Sequence, residues 1–240
     1  MYKERSYRQW VKSEGLVTFE VKELETDLLI SAKEDLGKRA RESILNYRQD
    51  IQSYIKKHKD FYTSLEPIDA EIDAPRIVKA MADAGKKASV GPMAAVAGAI
   101  AEFVGRDLLA YTDEVIVENG GDIFIKTKVK RIVGIYAGED SAFTGKLALE
   151  ISPREEGTGV CTSSGTVSHS LSFGRADAAL IISGDTALAD AAATAMGNAV
   201  KNKDCIEKGI DLAKSIDGVR GALVIVGDKL GSWGNIKLVK

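Results

Sequence analysis

Hydrophobic and polar positions first alternate at the start of the chain, where Val17, Phe19 and Val21 are interleaved with Thr18, Glu20 and Lys22. A period of two predicts a half-buried strand, with residues 28–31 as its hairpin partner. The period then lengthens. Ile44, Tyr47, Ile51, Tyr54 and Ile55 recur at helical spacing, which predicts a long amphipathic helix over 35–58. Residues 60–75 hold Pro67 and Pro75 and few periodic apolar positions, so they read as a connecting segment. Pro75 suits the first turn of a helix running to about residue 84, and a further helix is expected over 92–109. Short apolar runs then predict strands at 114–118, 122–127, 130–137, 146–151, 158–163 and 177–183. Helices at 186–200 and 203–215 and a strand at 220–226 complete the pattern. Strands outnumber helices without regular βαβ alternation, which predicts an α+β fold with a largely antiparallel sheet flanked by helices. A single domain over 1–240 is expected, with a strand pair and long helix in 1–75 and a pocket-bearing core in 76–240.

Composition changes this picture little. Hydrophobic residues make up 45% and charged residues 28%, ordinary values for a globular chain able to bury a large core. Cys161 and Cys205 are the two cysteines, so no disulfide framework is implied and both read as thiols in a reducing compartment. A formal net charge of −2 gives no general attraction for nucleic acid. Lys56, Lys57 and Lys59 sit where a helix C-terminus favours cations, and His58 lies among them as a surface residue. The first ten residues contain no apolar stretch of the signal-peptide kind. The least polar run, 90–104, is shorter than a bilayer span and contains Glu102. The expectation is a cytoplasmic protein with neither membrane nor nucleic-acid partners.

Three segments carry candidate chemistry. Glu118-Asn119-Gly120-Gly121-Asp122 stands between two apolar runs, and its glycines suit the positive φ angles of a tight hairpin. The turn explains the glycines but not the acids on both sides. In Cys161-Thr162-Ser163-Ser164-Gly165-Thr166-Val167-Ser168-His169-Ser170, seven of ten residues carry a hydroxyl or imidazole. A Gly- and Ser-rich backbone can approach phosphate closely and offer donors to it; a flexible linker or a structurally satisfied His169 is the plainer reading. In the third segment, Asp190, Thr194 and Asn198 fall at i, i+4 and i+8, so one helix face carries a carboxylate, a hydroxyl and an amide among alanines and glycine. Such a row, with a substrate phosphate, could hold Mg²⁺. It could equally be a wet polar stripe on a close-packed alanine helix capped by Asp185 or Thr186. The chain lacks a P-loop, a GxGxxG turn opening a helix, HExxH, CxxC and GxSxG.

Taken together, NGGDI at 119–123, CTSSG at 161–165 followed by His169, and ADAAATA at 189–195 resemble, in order and spacing, signatures of the flavin-transferase (ApbE-like) superfamily. The whole chain resembles more closely still a prokaryotic branch of it, through VGPMAAVAGAIAE at 90–102, VIVENGGDIF at 115–124, GVCTSSGTVSHSLSFGRADAA at 159–179 and ADAAATAMGN at 189–198. The resemblance implies FAD or FMN as ligand and Mg²⁺ as helper, with FMN transfer to a carrier protein or cleavage of the FAD pyrophosphate. It places Asp190 and Thr194 on the metal. Asn119, Gly120, Gly121, Thr162, Ser163, Ser164, Gly165 and Thr166 fall at the nucleotide, and Asp122 and His169 at the chemistry. The sequence departs from the transferase branch twice. Gly91-Pro92-Met93 stands where Lys-Gly-Tyr is usual, and Ser172-Phe173 where an Asp-Pro pair is usual. These departures leave open a non-catalytic homo-oligomer holding a nucleotide or pterin-like ligand; a third possibility is that the Ala/Gly-rich helices over 92–104 and 186–200 chiefly build a subunit interface.

Overall fold

A computed structural model describes residues 11–139, 141–166 and 174–239. His169 lies outside the described residues. The central feature is an eight-stranded, wholly antiparallel sheet. In spatial order it comprises β11 (Lys229–Gly234), β10 (Val219–Val226), β9 (Ala178–Ser183), β8 (Thr158–Ser163), β5 (Asp122–Lys126), β4 (Val115–Asn119), β3 (Thr26–Ala32) and β2 (Val17–Glu23). A smaller sheet is ordered β1 (Val11–Lys12), β6 (Arg131–Gly134), β7 (Ala148–Ile151) and β12 (Leu238–Val239). The helices are α1 (Gly37–Lys57), α2 (Lys59–Thr63), α3 (Arg76–Ala88), α4 (Val96–Leu108), α5 (Thr186–Ala199) and α6 (Ile206–Ser215). The expected α+β class with a large antiparallel sheet is therefore the observed one.

Strand parity shows how the layers stack. Val115, Val117, Phe124, Cys161, Ala179, Ile181, Ala222 and Val224 face the helices and join their core. Their neighbours Ile116, Ile123, Ile125, Val160, Leu180, Ile182, Leu223 and Ile225 face the other way and pack with Val133, Leu149 and Ile151 of the small sheet. Because both faces of the large sheet are covered, its central strands read as continuous apolar runs rather than alternating ones. Each such buried Val, Leu or Ile contributes about 1.5–3 kcal/mol relative to exposure.

The boundaries differ from expectation where the pattern is weakest. The helix expected over 92–109 begins as a 3₁₀ turn at Pro92–Ala95 before α4. The segment expected to be a plain connection contains α2, anchored by the fully buried Phe61. The 130–137 strand shortens to β6, and β1, β11 and β12 carry no clear periodic signal. No single helix among the described residues is long and apolar enough to cross a membrane; α3 and α4, which would pass only together, are bent by 106° at their break.

Candidate functional site

The site forms where the β4–β5 hairpin meets α4 and α5. Gly120 and Gly121 adopt φ of 68° and 108°, the two successive left-handed positions that a twisted two-residue hairpin needs. The acids beside them do different work. Glu118 accepts a hydrogen bond from the Gly121 N–H at 2.9 Å, so it serves the turn itself. Asp122, directly opposite Asn119 in the ladder and of the same parity as Phe124, is directed to the helix side.

On that side one peptide unit of α4 ties the pieces together. The Ala97 carbonyl accepts from the Asn119 amide at 3.0 Å, and the next N–H, of Gly98, donates to Asp190 Oδ2 at 2.8 Å. Gly98 is indispensable here because a Cβ would lie 2.4 Å from the Thr186 carbonyl and 2.8 Å from Asp190 Cβ. Glu102, the first charged residue of α4, is buried one turn on. It accepts the Thr186 N–H at 2.5 Å and pairs with Arg106 at 2.6 Å. Asp185 caps α5 by accepting the Leu188 N–H at 2.9 Å. The start of α5 is thus held from two sides, which fixes where Asp190 emerges.

The electrostatics of this hollow are unusual. Asp122 is 8% exposed, and its Oδ1 is buried with no hydrogen-bond partner among the described residues. Burial first, and then the Asp190 charge, push its carboxyl well above the usual carboxylate range; contacts from the Cys161 thiol and the Thr162 backbone oppose this. Burial likewise raises Asp190 to about 7, against the Gly98 hydrogen bond. The Cys161 thiol donates to the Thr186 carbonyl at 3.4 Å, and burial followed by the two aspartates raises its pKa as well. Like charges buried side by side disfavour joint ionisation unless a cation joins them.

The hydroxyl-rich segment spreads away from this centre. Ser163 lies beside Gly197 of α5, and buried Ser164 accepts from the Thr166 N–H at 3.2 Å. The Gly165 N–H donates to the Ala176 carbonyl at 2.9 Å. Thr166 turns outward, its hydroxyl donating to Asp177 at 3.0 Å on the rim of a separate open groove of about 450 Å³ lined by Arg175, Lys201 and Lys203. Thr194 stands one turn beyond Asp190, half-buried. The structure therefore gathers Asn119, Asp122, Asp190 and the Thr162 backbone into one hollow, with Ser163 beside α5 and Thr166 in a different opening. Sequence reasoning missed Gly98, Ala97 and Glu102 as parts of the site, and gave Cys161, inside a candidate segment, no role of its own. The available signal was Glu102, the first charge after the Ala/Gly-rich run of 94–101.

Among the described residues, no group of three or more His, Cys, Asp and Glu side chains is placed to hold a metal. Mg²⁺ asks for less. It takes hard oxygen donors, often one or two carboxylates, and keeps waters or substrate phosphate for the rest. Two carboxylates in one hollow, one with an orphaned oxygen, and a hydroxyl a turn away fit that demand.

The fold, an antiparallel sheet with helices on one face, is that of the ApbE flavin transferases. Over 94% of this chain, the structure matches 95% of the apo flavinyl transferase ApbE from Pseudomonas stutzeri (TM-score 0.58, 13% identity) and 97% of the flavin transferase ApbE from Vibrio cholerae (TM-score 0.60, 14% identity). Residues 8–218 match the family model described as AbpE bacteria, and the chain belongs to that family. Its relatives include a UPF0280 protein of Methanocaldococcus jannaschii, 45% identical over 90% of both chains. Another, from Methanococcus aeolicus, is 43% identical over 82% of this chain and 81% of the relative.

Proposed function

We propose that the protein binds a flavin nucleotide, FAD, with Mg²⁺, and either transfers its FMN half to a hydroxyl of a carrier protein or cleaves the pyrophosphate. The observation that carries this reading is the pair of neighbouring carboxylates, Asp122 and Asp190, with no side-chain cation among the described groups that shift them. Asp190 and Thr194 would hold the metal, which when bound withdraws charge from the phosphates. Asn119, Gly120 and Gly121 shape the wall at the hairpin, and Ser163, beside α5, would offer its hydroxyl to a phosphate oxygen. Asp122 orients the attacking hydroxyl or water, and His169 is its candidate proton partner. A cytoplasmic homo-oligomer acting on a carrier protein is compatible with this reading.

A second reading, a non-catalytic holder of a nucleotide or pterin-like ligand, draws on a specific feature. At Gly91, the first of the three residues replacing Lys-Gly-Tyr, a Cβ would meet the Ser64 carbonyl at 1.9 Å, so that position accepts no side chain. One assay separates the two. Purified protein with FAD and Mg²⁺ is expected to release AMP, with or without carrier candidates, and Asp190→Ala is expected to lose this activity. Bound ligand without turnover would favour the second reading.

A further inference from the structure

We infer that Asp122 is itself a ligand of the divalent cation, sharing it with Asp190 through its orphaned Oδ1. This rests on the metal-dependent reading above and deepens it, since Asp122 then both anchors the ion and stands beside the hydroxyl to be activated. Three buried side-chain atoms lack partners among the described residues: Asp122 Oδ1, Arg131 Nε and Thr186 Oγ1. Arg131 satisfies its other nitrogens through the Glu14 carbonyl and Glu114, and Thr186 is neutral. Asp122 Oδ1 alone is an acceptor able to carry negative charge. Leaving such an atom buried and bare costs several kcal/mol, so it calls for a positive partner or a proton.

The surroundings specify which partner. Among the described residues the groups named as acting on Asp122 are Asp190, the Cys161 thiol, Glu118 and the Thr162 backbone, none of them a Lys or Arg. Asp190 reaches the hollow by way of Gly98 and Asn119 by way of Ala97, two neighbouring residues of α4. Asn119 and Asp122 face each other across the hairpin. The two carboxylates are therefore brought to one place by a single peptide unit and a single cross-strand pair. An oxygen with almost no exposed surface admits a small ion after a side-chain shift, but not a bulky organic cation. The two carboxylates are hard oxygen donors, which favour a hard divalent ion.

The test titrates Mn²⁺ alone into the metal-free full chain and follows free Mn²⁺ by electron paramagnetic resonance. Wild type is expected to bind, Asp190→Asn to lose binding, and Asp122→Asn to weaken it at least about tenfold, which is 1.4 kcal/mol. Asp122→Glu, which keeps the charge but moves it by a methylene, is the second variant and is also expected to bind more weakly. Mn²⁺ affinity unchanged in either Asp122 variant overturns the inference while leaving the metal reading intact. A wild type that binds no Mn²⁺ overturns both.

Discussion

Glu114 and Asp122 are buried carboxylates at opposite ends of the same β4–β5 hairpin, at 3% and 8% exposure, yet their surroundings are opposed. Glu114 is saturated: Lys33 stands 2.7 Å away, the Lys128 N–H donates at 2.9 Å and Arg131 lies at 3.3 Å. Burial alone would raise its pKa, but these partners outweigh burial and lower it. Asp122 has a second carboxylate for a neighbour and its pKa is raised. The fold can thus neutralise a buried acid when structure is the purpose. At the other end of the hairpin Asp122 Oδ1 has no partner among the described residues, and the proposed cation would supply the opposite charge.

The comparison can be broken by mutation. Glu114→Gln should be the costliest change, because it strands Arg131 in the interior; a loss of about 3 kcal/mol is expected, read as a fall in the denaturant midpoint at unchanged slope. Gly98→Ala should cost about 1–3 kcal/mol by forcing α4 from α5, and should abolish Mn²⁺ binding even in the folded protein. Asp190→Asn should have the opposite sign. Its folded pKa of about 7 exceeds the unfolded carboxylate value, so the metal-free folded state binds the extra proton and loses stability as pH rises from about 4 to 7. The variant should therefore match wild type near pH 4 and be more stable above pH 7, by about 1 kcal/mol or roughly 3 °C for a chain of this size. A destabilised Asp190→Asn at pH 8 would erase the contrast between the two ends.

Much of the architecture could be read from residue pattern. Val17, Phe19 and Val21 alternate because β2 is an edge strand with one solvated face, and Ile44 and Ile51 recur because one face of α1 is buried. Lys229–Gly234 escaped notice because its glycines and polar residues leave no period to detect. The site was legible as three segments but not as one place. Glu118 and Asp122 are alike in sequence, and only strand parity and the Gly121 N–H separate the turn-capping acid from the one directed inward. The meeting of Asp122 with Asp190 depends on α4 and α5 approaching closely at Gly98, a tertiary event that no local period encodes.

The most direct measurement is the thermal midpoint of the wild-type protein with and without millimolar Mg²⁺ at pH 8 and at pH 5. A cation that binds the ionised carboxylates of the folded state should raise the midpoint by several degrees at pH 8, about 2–3 kcal/mol at a hundredfold excess over Kd, and have little effect at pH 5. Identical midpoints at pH 8, or a rise that persists in Asp190→Asn, would contradict the account.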